Sequence, residues 1–270
     1  MPAIDSAMRE IRGTADLAAR DTWVHRLDPR TKVLTTLAFI VAVTSFGRYD
    51  VAALLPFLLF PIVLMAAGDV PFAYVARRLV VALPFAFFVG IFNVFIDREA
   101  MARFGPVAVS GGWVSFTSIL LRFALTVGAA LILIATTGLE AVCVGLARLR
   151  VPRVFVVQLL FMYRYIFVLI DEGARAVQAH HLRAPDRRRI RMRTFGPLAG
   201  HLLLRALDRA QRIHVAMLCR GFDGEIRLIR PLKARAADAA FLLFWVAFFF
   251  TARLYNLPRM MGDLVTGGAG

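Results

Sequence analysis

The sequence has little cysteine and little lysine, and the cysteine shortage excludes two kinds of site. Its two cysteines, Cys143 and Cys219, have no Cys-x-x-Cys spacing, so neither a disulfide framework nor a zinc site is expected. Lysine occurs only as Lys32 and Lys233. The excess of 33 Lys and Arg over 18 Asp and Glu is therefore almost entirely arginine, which indicates an anionic partner: nucleic acid or the cytoplasmic face of a membrane.

The chain also lacks the motifs that mark common enzyme sites. It has no Gly-x-x-x-x-Gly-Lys-[Ser/Thr] phosphate loop, no His-Glu-x-x-His helix and no Gly-x-Ser-x-Gly turn. His180 and His181 are adjacent and would project from different faces of a helix, whereas paired metal ligands on a helix are spaced by four. We predict no catalytic residue, no cofactor and no metal site, and hence a protein that is not an enzyme.

Long apolar runs decide between the two anionic partners. Hydrophobic residues make up 59% of the chain, more than the roughly 45–50% of soluble domains. About 20 apolar residues cross a bilayer, and five segments come near that: 33–46, 51–67, about 79–96, 113–137 and about 236–255. A sixth run, 154–170, either spans the membrane or lies at its interface. Arg122 lies inside the fourth segment, where it marks a functional site, faces the bundle interior or snorkels to the membrane interface.

Charge placement orients these segments, because Lys and Arg favour cytoplasmic loops. The N-terminal segment is basic and is therefore placed in the cytoplasm; it carries Arg9, Arg12, Arg20, Arg26, Arg30 and Lys32. Five spans then put residues 138–235 in the cytoplasm, whereas a sixth span would divide the most basic stretch between the two faces. We predict an all-α integral membrane protein with three parts: residues 1–137 with four spans, a cytoplasmic helical region at 138–235, and a last span with a tail at 236–270.

Three helices are predicted in the cytoplasmic region, at residues 139–149, 152–183 and from about Gly196–Pro197 to Gly221. Pro197 suits a first helical turn, and Gly221 suits the left-handed residue after a helix end. Residues 186–193, between the second and third helices, read as an exposed basic loop that contacts lipid head groups.

The last two helices each end at an arginine. In the second helix Glu172, Arg175 and Ala179 share a face by their spacing of three and four, and Arg183 follows four residues later. In the third helix the corresponding face carries Arg205, Arg209, Arg212 and Ala216, with Met217 beside it and Arg220 four residues after Ala216. A guanidinium at a helix end pairs with carboxylates or carbonyls of another protein, or is simply favoured there by the helix dipole.

Four blocks of sequence together resemble one known family. They are "HRLDPRTKVL" (25–34), "ATTGLEAVCVGLARLRVP" (135–152), "FMYRYIFVLIDEGARA" (161–176) and "LLLRALDRAQRIHVAMLCRGFDG" (202–224). In this order they are similar to the T component of energy-coupling factor (ECF) transporters, and the last block is similar to the cobalt/nickel branch of the CbiQ/NikQ type. The resemblance extends from about Thr22 to Tyr255.

The resemblance implies a scaffold with long coupling helices, multi-pass in the bacterial inner membrane. Such a scaffold joins two ATP-binding cassette ATPases to a substrate-binding membrane subunit of the CbiM/NikM type, with or without a small accessory membrane protein. Two helix ends in the family carry an Ala-Arg-Gly-like signature whose arginines dock into the ATPases. Here they correspond to Leu182-Arg183-Ala184 and Cys219-Arg220-Gly221. Both signatures depart from the pattern at their flanks, and the first lacks the glycine.

Three alternatives stay open beside a metal importer. One is a T component that serves another micronutrient such as a vitamin. Another is a self-sufficient membrane enzyme or channel, although the spans hold almost no ionisable residue besides Arg122. The third is a membrane-anchored nucleic-acid binder that uses "RRRIRMR" (187–193), although no recognition motif accompanies that basic run.

Overall fold

Helices make up most of the described chain, and one short hairpin interrupts them. The computed structural model describes residues 13, 17–47, 49–96, 100–104, 107–183, 192–224 and 235–254. The elements are α1 (Pro29–Thr44), α2 (Val51–Leu54), a 3₁₀ turn (Leu55–Leu58), α3 (Leu59–Ala67), α4 (Phe72–Ile96), β1 (Ala100–Phe104), β2 (Val107–Ser110), α5 (Gly111–Thr137), α6 (Leu139–Arg148), α7 (Arg153–Arg183), α8 (Met192–Cys219) and α9 (Ala236–Leu254). The predicted all-α class is confirmed, and the connection between α4 and α5 contains the antiparallel pair β1–β2.

The described residues divide into two compact units. One, here the core unit, contains α1 to α5, the hairpin, α6 up to Gly145, and α9. The other, here the helix-pair unit, runs from Leu146 and contains α7 and α8. The predicted division into three parts along the chain stays a prediction.

Length and composition qualify four of the described helices as membrane spans. They are Phe72–Val94, Gly111–Thr137, Arg153–Arg183 and Ala236–Leu254. The five predicted spans differ from this set at three places. Helix α1 and the segment Val51–Ala67 are shorter than a usual span, while α7, which contains the ambiguous run 154–170, meets the criterion.

Prolines explain the irregular middle of Val51–Ala67. Pro56 lies at the start of the 3₁₀ turn, and Pro61 is the third residue of α3. Proline has no amide hydrogen, and its ring clashes with the carbonyl four residues earlier. The chain therefore tightens into a 3₁₀ turn between two α-helical pieces.

An aromatic cluster forms the centre of the core unit. Phe39 of α1 stacks on Phe60 of α3 with ring centroids 4.7 Å apart, and Phe249 of α9 packs 5.4 Å from Phe39. Trp245, one turn earlier on α9, meets the edge of Phe60 at 4.9 Å. Each such pair contributes roughly 0.5–1.5 kcal/mol beyond the burial of its area, so this cluster fixes α9 against α1 and α3.

Helices α4 and α5 approach closely at a glycine. A Cβ atom on Gly90 would lie 2.8 Å from the ring of Phe116, so the contact tolerates no side chain there. One turn along, the Asn93 side-chain amide donates a hydrogen bond to the Ser115 hydroxyl. Small residues and a polar pair of this kind hold helices together in a bilayer. The opposite face of α4 exposes apolar side chains spaced by three and four, as a lipid-facing helix does: Phe85, Phe88 and Phe92.

Both ends of α1 are capped. Asp28 Oδ1 accepts a hydrogen bond of 2.9 Å from the Arg30 amide, and Pro29 occupies the first helical position. After the other end, Arg122 donates to the Gly47 carbonyl and Arg253 donates to the Ser45 carbonyl at 3.1 Å. Cations are favoured at carbonyls that follow a helix C-terminus. Arg122 therefore has a structural role inside its span.

In the helix-pair unit, α7 agrees with the prediction of a long helix over 152–183. The predicted start of the third helix is wrong: α8 begins at Met192, and Pro197 lies inside it. Pro197 removes a single hydrogen bond, to the carbonyl of Arg193 in the first turn, so the helix tolerates it close to its N-terminus. The stop of α7 at Ala184–Pro185 and most of the basic run 186–193 lie outside the described residues.

Candidate functional site

Helices α7 and α8 meet at one short stretch of each. A Cβ atom on Gly173 would lie 3.6 Å from the Leu202 side chain, so the two helices are in contact at this glycine. Beside this point the buried Glu172 carboxylate lies 3.2 Å from Arg209 and 3.7 Å from Arg205, counted between the nearest oxygens and nitrogens. We call these three side chains the crossing brace. It links the two helices by charge as well as by packing.

The crossing brace divides the residues that the sequence placed on one face of α7. Glu172 is buried, whereas Arg175 is exposed and Ala179 is half-buried. On α8, Arg205 and Arg209 face Glu172. Arg212 Nε instead donates a hydrogen bond of 3.2 Å to the Asp208 carbonyl of its own helix. Ala216 is exposed. The sequence identified these residues, but it gave no pairing between the helices.

Helix α8 ends in a defined hydrogen-bonded cap around Gly221. The Gly221 amide donates to the Leu218 carbonyl at 2.9 Å, and the Phe222 amide donates to the Met217 carbonyl at 3.0 Å. Gly221 has a φ of +78°, as predicted, a backbone conformation that glycine adopts without the strain a side chain brings. These features define a Schellman motif, in which Arg220 is the residue at the end of the helix.

The cap presents Arg220 to solvent. Arg220 and Gly221 are both exposed, and a Cβ atom on Gly221 would meet nothing within 4 Å. The cation lies at the C-terminal end of the helix dipole, where positive charge is favoured. The cap therefore fixes the backbone position from which this exposed fork of donors projects.

The other predicted docking residue, Arg183, is the last residue of α7. It is exposed, and the neighbouring Leu182 side chain is 77% exposed. Ala184 lies outside the described residues. The two arginine-bearing helix ends are thus both exposed, and in the sequence a glycine follows Arg220 whereas an alanine follows Arg183.

An apolar cavity of about 600 Å³ opens between α7 and α8 on the Arg220 side of the crossing brace. Its walls include Phe161, Leu169 and Ile213, with Met217 and Phe222 from the cap. A second cavity of about 460 Å³ is bordered by Arg164 and Arg220. Arg220 therefore stands beside an apolar recess rather than on a uniformly charged surface.

One face of α7 is apolar and largely exposed. Phe155 is 64% exposed and Met162 is 55% exposed, with Leu159 and Ile166 also open to solvent. Leu169 is half-buried and lines the larger cavity. An apolar face of this length requires lipid or a partner protein to cover it.

The two cysteines differ in reactivity. Cys219, next to Arg220, is exposed, whereas Cys143 in α6 is buried. Burial raises the pKa of the Cys143 thiol, which disfavours the nucleophilic thiolate. Within the described part of the chain no group of three or more His, Cys, Asp or Glu side chains is arranged to hold a metal ion.

Comparison with known proteins gives one family and a consistent set of relatives. A family model described as "CbiQ: Cobalt transport protein" matches residues 20–232. An energy-coupling factor transporter transmembrane protein EcfT from Heliobacterium modesticaldum is 31% identical over 82% of this chain and 88% of that protein. The EcfT of Bacillus subtilis is 28% identical over 74% of this chain and 81% of that protein. A cobalt transport protein CbiQ from Rhodobacter capsulatus is 34% identical over 38% of this chain and 42% of that protein.

Proposed function

Since the chain belongs to the CbiQ family of cobalt transport proteins, we propose that it couples ATP hydrolysis by partner subunits to the uptake of a divalent metal ion, cobalt or nickel. Membership confirms the resemblance to the T component of ECF transporters, a family of non-enzymatic transmembrane scaffolds. The family match over residues 20–232 is the observation that carries this proposal.

In this proposal Arg183 and Arg220 dock into two ATP-binding cassette ATPases. The cap around Gly221 supports the role of Arg220, because it holds an exposed guanidinium at a fixed helix end beside an apolar recess. Arg183 is supported by its exposure at the end of α7. Ala184, Gly221 and the residues between the crossing brace and the helix ends support these two contacts.

Motion is then transmitted along α7 and α8. When ATP closes the two ATPases, the grooves that hold the two arginines move. The two helix ends then pivot about the crossing brace, because Glu172 connects α7 to two arginines of α8 at that point. The exposed apolar face of α7 is the surface proposed to pack against the substrate-binding membrane subunit, of the CbiM/NikM type with or without a small accessory membrane protein.

The chain is a multi-pass membrane protein, and we propose the bacterial inner membrane with a cytoplasmic N-terminus. The positive-inside bias supports this orientation. It also supports a cytoplasmic or interfacial position for residues 138–235, although α7 is long and apolar enough to span. We propose that the arginine-rich residues 186–193 contact anionic lipid and not nucleic acid.

Two observations bear on the substrate. The name of the matching family favours cobalt. The names of the EcfT relatives give no substrate, so the alternative of a T component that serves another micronutrient, such as a vitamin, is tested beside it. No metal ligand set is needed in this chain under either reading, because the substrate is held by the separate membrane subunit.

Uptake by the assembled transporter tests the function. The chain is co-expressed with its candidate ATPases and substrate-binding membrane protein, and the complex is reconstituted in liposomes with ATP. The proposal expects accumulation of Co²⁺ or Ni²⁺, with no accumulation of labelled riboflavin or biotin. Vitamin uptake without metal uptake would establish the alternative, and ATP-independent transport would contradict both.

A further inference from the structure

Three buried charged residues of the core unit lie on, or in contact with, the chain segments that lead into and out of the helix-pair unit. Asp28, Lys32 and Asp238 are 6%, 5% and 4% exposed, which is unusual for ionised side chains. Asp28 and Lys32 belong to the "LDPRTK" block, and Asp238 lies in the first turn of α9. We call these three residues the base clamp.

Asp238 joins the start of α9 to the start of α1. Its Oδ2 accepts a hydrogen bond of 2.7 Å from the Arg235 amide, which caps α9 in the manner of a capping box. Its Oδ1 accepts a hydrogen bond of 2.9 Å from the Asp28 amide, 210 residues away in sequence. One carboxylate thus satisfies an amide at each of two helix starts.

Lys32 joins the start of α1 to the end of α5. Its ammonium donates to the Thr136 carbonyl at 3.0 Å, at the C-terminal end of α5 where positive charge is favoured. The ammonium is also attracted by the carboxylates of Asp238 and Asp28. In addition, a Cβ atom on Gly145 of α6 would lie 3.3 Å from the Pro29 backbone, so α6 packs directly on the same segment.

These contacts fasten both connections to the helix-pair unit. The chain leaves the core unit through Thr136 and α6, and it returns at Arg235 and Asp238. Both connections are tied to residues 28–32. A group of buried ions contributes little net stability compared with well-packed apolar side chains, because desolvation offsets attraction. Such a group instead favours one arrangement of the backbone segments that it joins, since each of its hydrogen bonds requires a partner in a fixed geometry.

We propose that the base clamp makes Asp28, Lys32 and Asp238 positioning residues for energy coupling: they hold the two connections rigid so that motion of α7 and α8 reaches the spans. This inference rests on the proposed coupling function. Loss of the clamp leaves ATPase docking intact, because Arg183 and Arg220 lie in the other unit. Hydrolysis of ATP then continues without equivalent transport.

The test compares Lys32→Met and Asp238→Asn with Ser118→Ala in the reconstituted complex. Ser118 is buried in α5, and its hydroxyl has no hydrogen-bond partner in the described structure, so its removal is a matched control. Co²⁺ uptake and ATP hydrolysis are measured on the same liposomes, and ATPase retention is measured by co-purification. A ratio of uptake to hydrolysis separates coupling from the amount of folded protein.

The base clamp predicts normal ATPase retention and a ratio at least tenfold below wild type in both clamp variants, with the ratio unchanged in Ser118→Ala. An unchanged ratio in the clamp variants overturns the inference. So does aggregation of both variants on gel filtration, since the cluster is then required only for folding. Failure of the wild-type chain to retain ATPases would instead refute the proposed function.

Discussion

The Phe222 amide donates a hydrogen bond to the Met217 carbonyl at 3.0 Å, and this bond closes α8 immediately around Arg220. It requires the intervening Gly221 to adopt a φ of +78°. The way in which the backbone ends α8 at Arg220 therefore depends on the glycine that follows it.

The first prediction concerns this cap. Replacing Gly221 with Val places a β-branched side chain in a left-handed conformation, at a cost of roughly 1–2 kcal/mol. We expect Gly221→Val to weaken ATPase binding about fivefold or more, although Arg220 is retained. Gly200→Ala is the control, because Gly200 lies within α8 and faces open space. Equal affinities of the two variants, measured by titration of the purified chain with ATPases, would exclude a role for the cap.

A second prediction concerns the crossing brace. Glu172→Gln removes a buried charge that two arginines share, while both arginines remain partly solvated. We expect a loss of stability on the order of 1 kcal/mol, smaller at high salt, because exposed partners are screened. Thermal unfolding in detergent measures it, with Arg175→Gln on the exposed face of α7 as the control. A larger effect for Arg175→Gln would show that the brace is misassigned.

Cysteine labelling gives a third prediction. Cys219 should react with a maleimide in the isolated protein, whereas the buried Cys143, whose pKa is raised, should not. Because Cys219 adjoins Arg220, saturating ATPase should slow its labelling at least several-fold. Mass spectrometry of the two cysteine peptides distinguishes the sites. Labelling of Cys219 at the same rate in the complex would mean that the ATPases bind elsewhere.

A fourth prediction concerns pH. The His25 Nε2–H donates to the Leu17 carbonyl at 3.0 Å, because a carbonyl only accepts. The other ring nitrogen, Nδ1, lies 2.7 Å from the Thr22 hydroxyl and accepts from it when the ring is neutral. Burial lowers the pKa of His25 below its ordinary 6.5. The hydrogen bond to Leu17 raises this pKa, and the nearby charges of Lys32 and Arg20 lower it further. The neutral ring is thus favoured on folding, so this stabilisation is present above pH 6.5 and is lost as pH falls through the folded pKa. The Cε1 proton shift of His25, assigned with His25→Gln, should titrate with a midpoint below 6.5; a midpoint above 6.5 would contradict this environment.

Sequence reasoning located the helices and the arginine ends because those signals are local. Apolar runs predicted the helices, and Gly221 predicted the left-handed cap. The pairing of Glu172 with Arg205 and Arg209 could not be predicted, since it depends on where two long helices cross. The base clamp was missed for the same reason, because Asp28 and Asp238 meet across 210 residues. The start of α8 was predicted too late, at Pro197, because proline is tolerated both in a first turn and shortly after it.

Co-purification with the ATPases tests the central claim most directly. The tagged chain is expressed with its ATPases and substrate-binding subunit as wild type, Arg183→Glu, Arg220→Glu and the double variant. Arg148→Glu and Arg153→Glu serve as exposed controls, because neither residue lies between the crossing brace and a helix end. Reversing a charge that pairs across an interface costs about 2–5 kcal/mol, a tenfold or greater loss of affinity. The account predicts partial loss of ATPases in each single variant and complete loss in the double variant, with the membrane partner and the controls unaffected. Full retention of the ATPases by the double variant would contradict it.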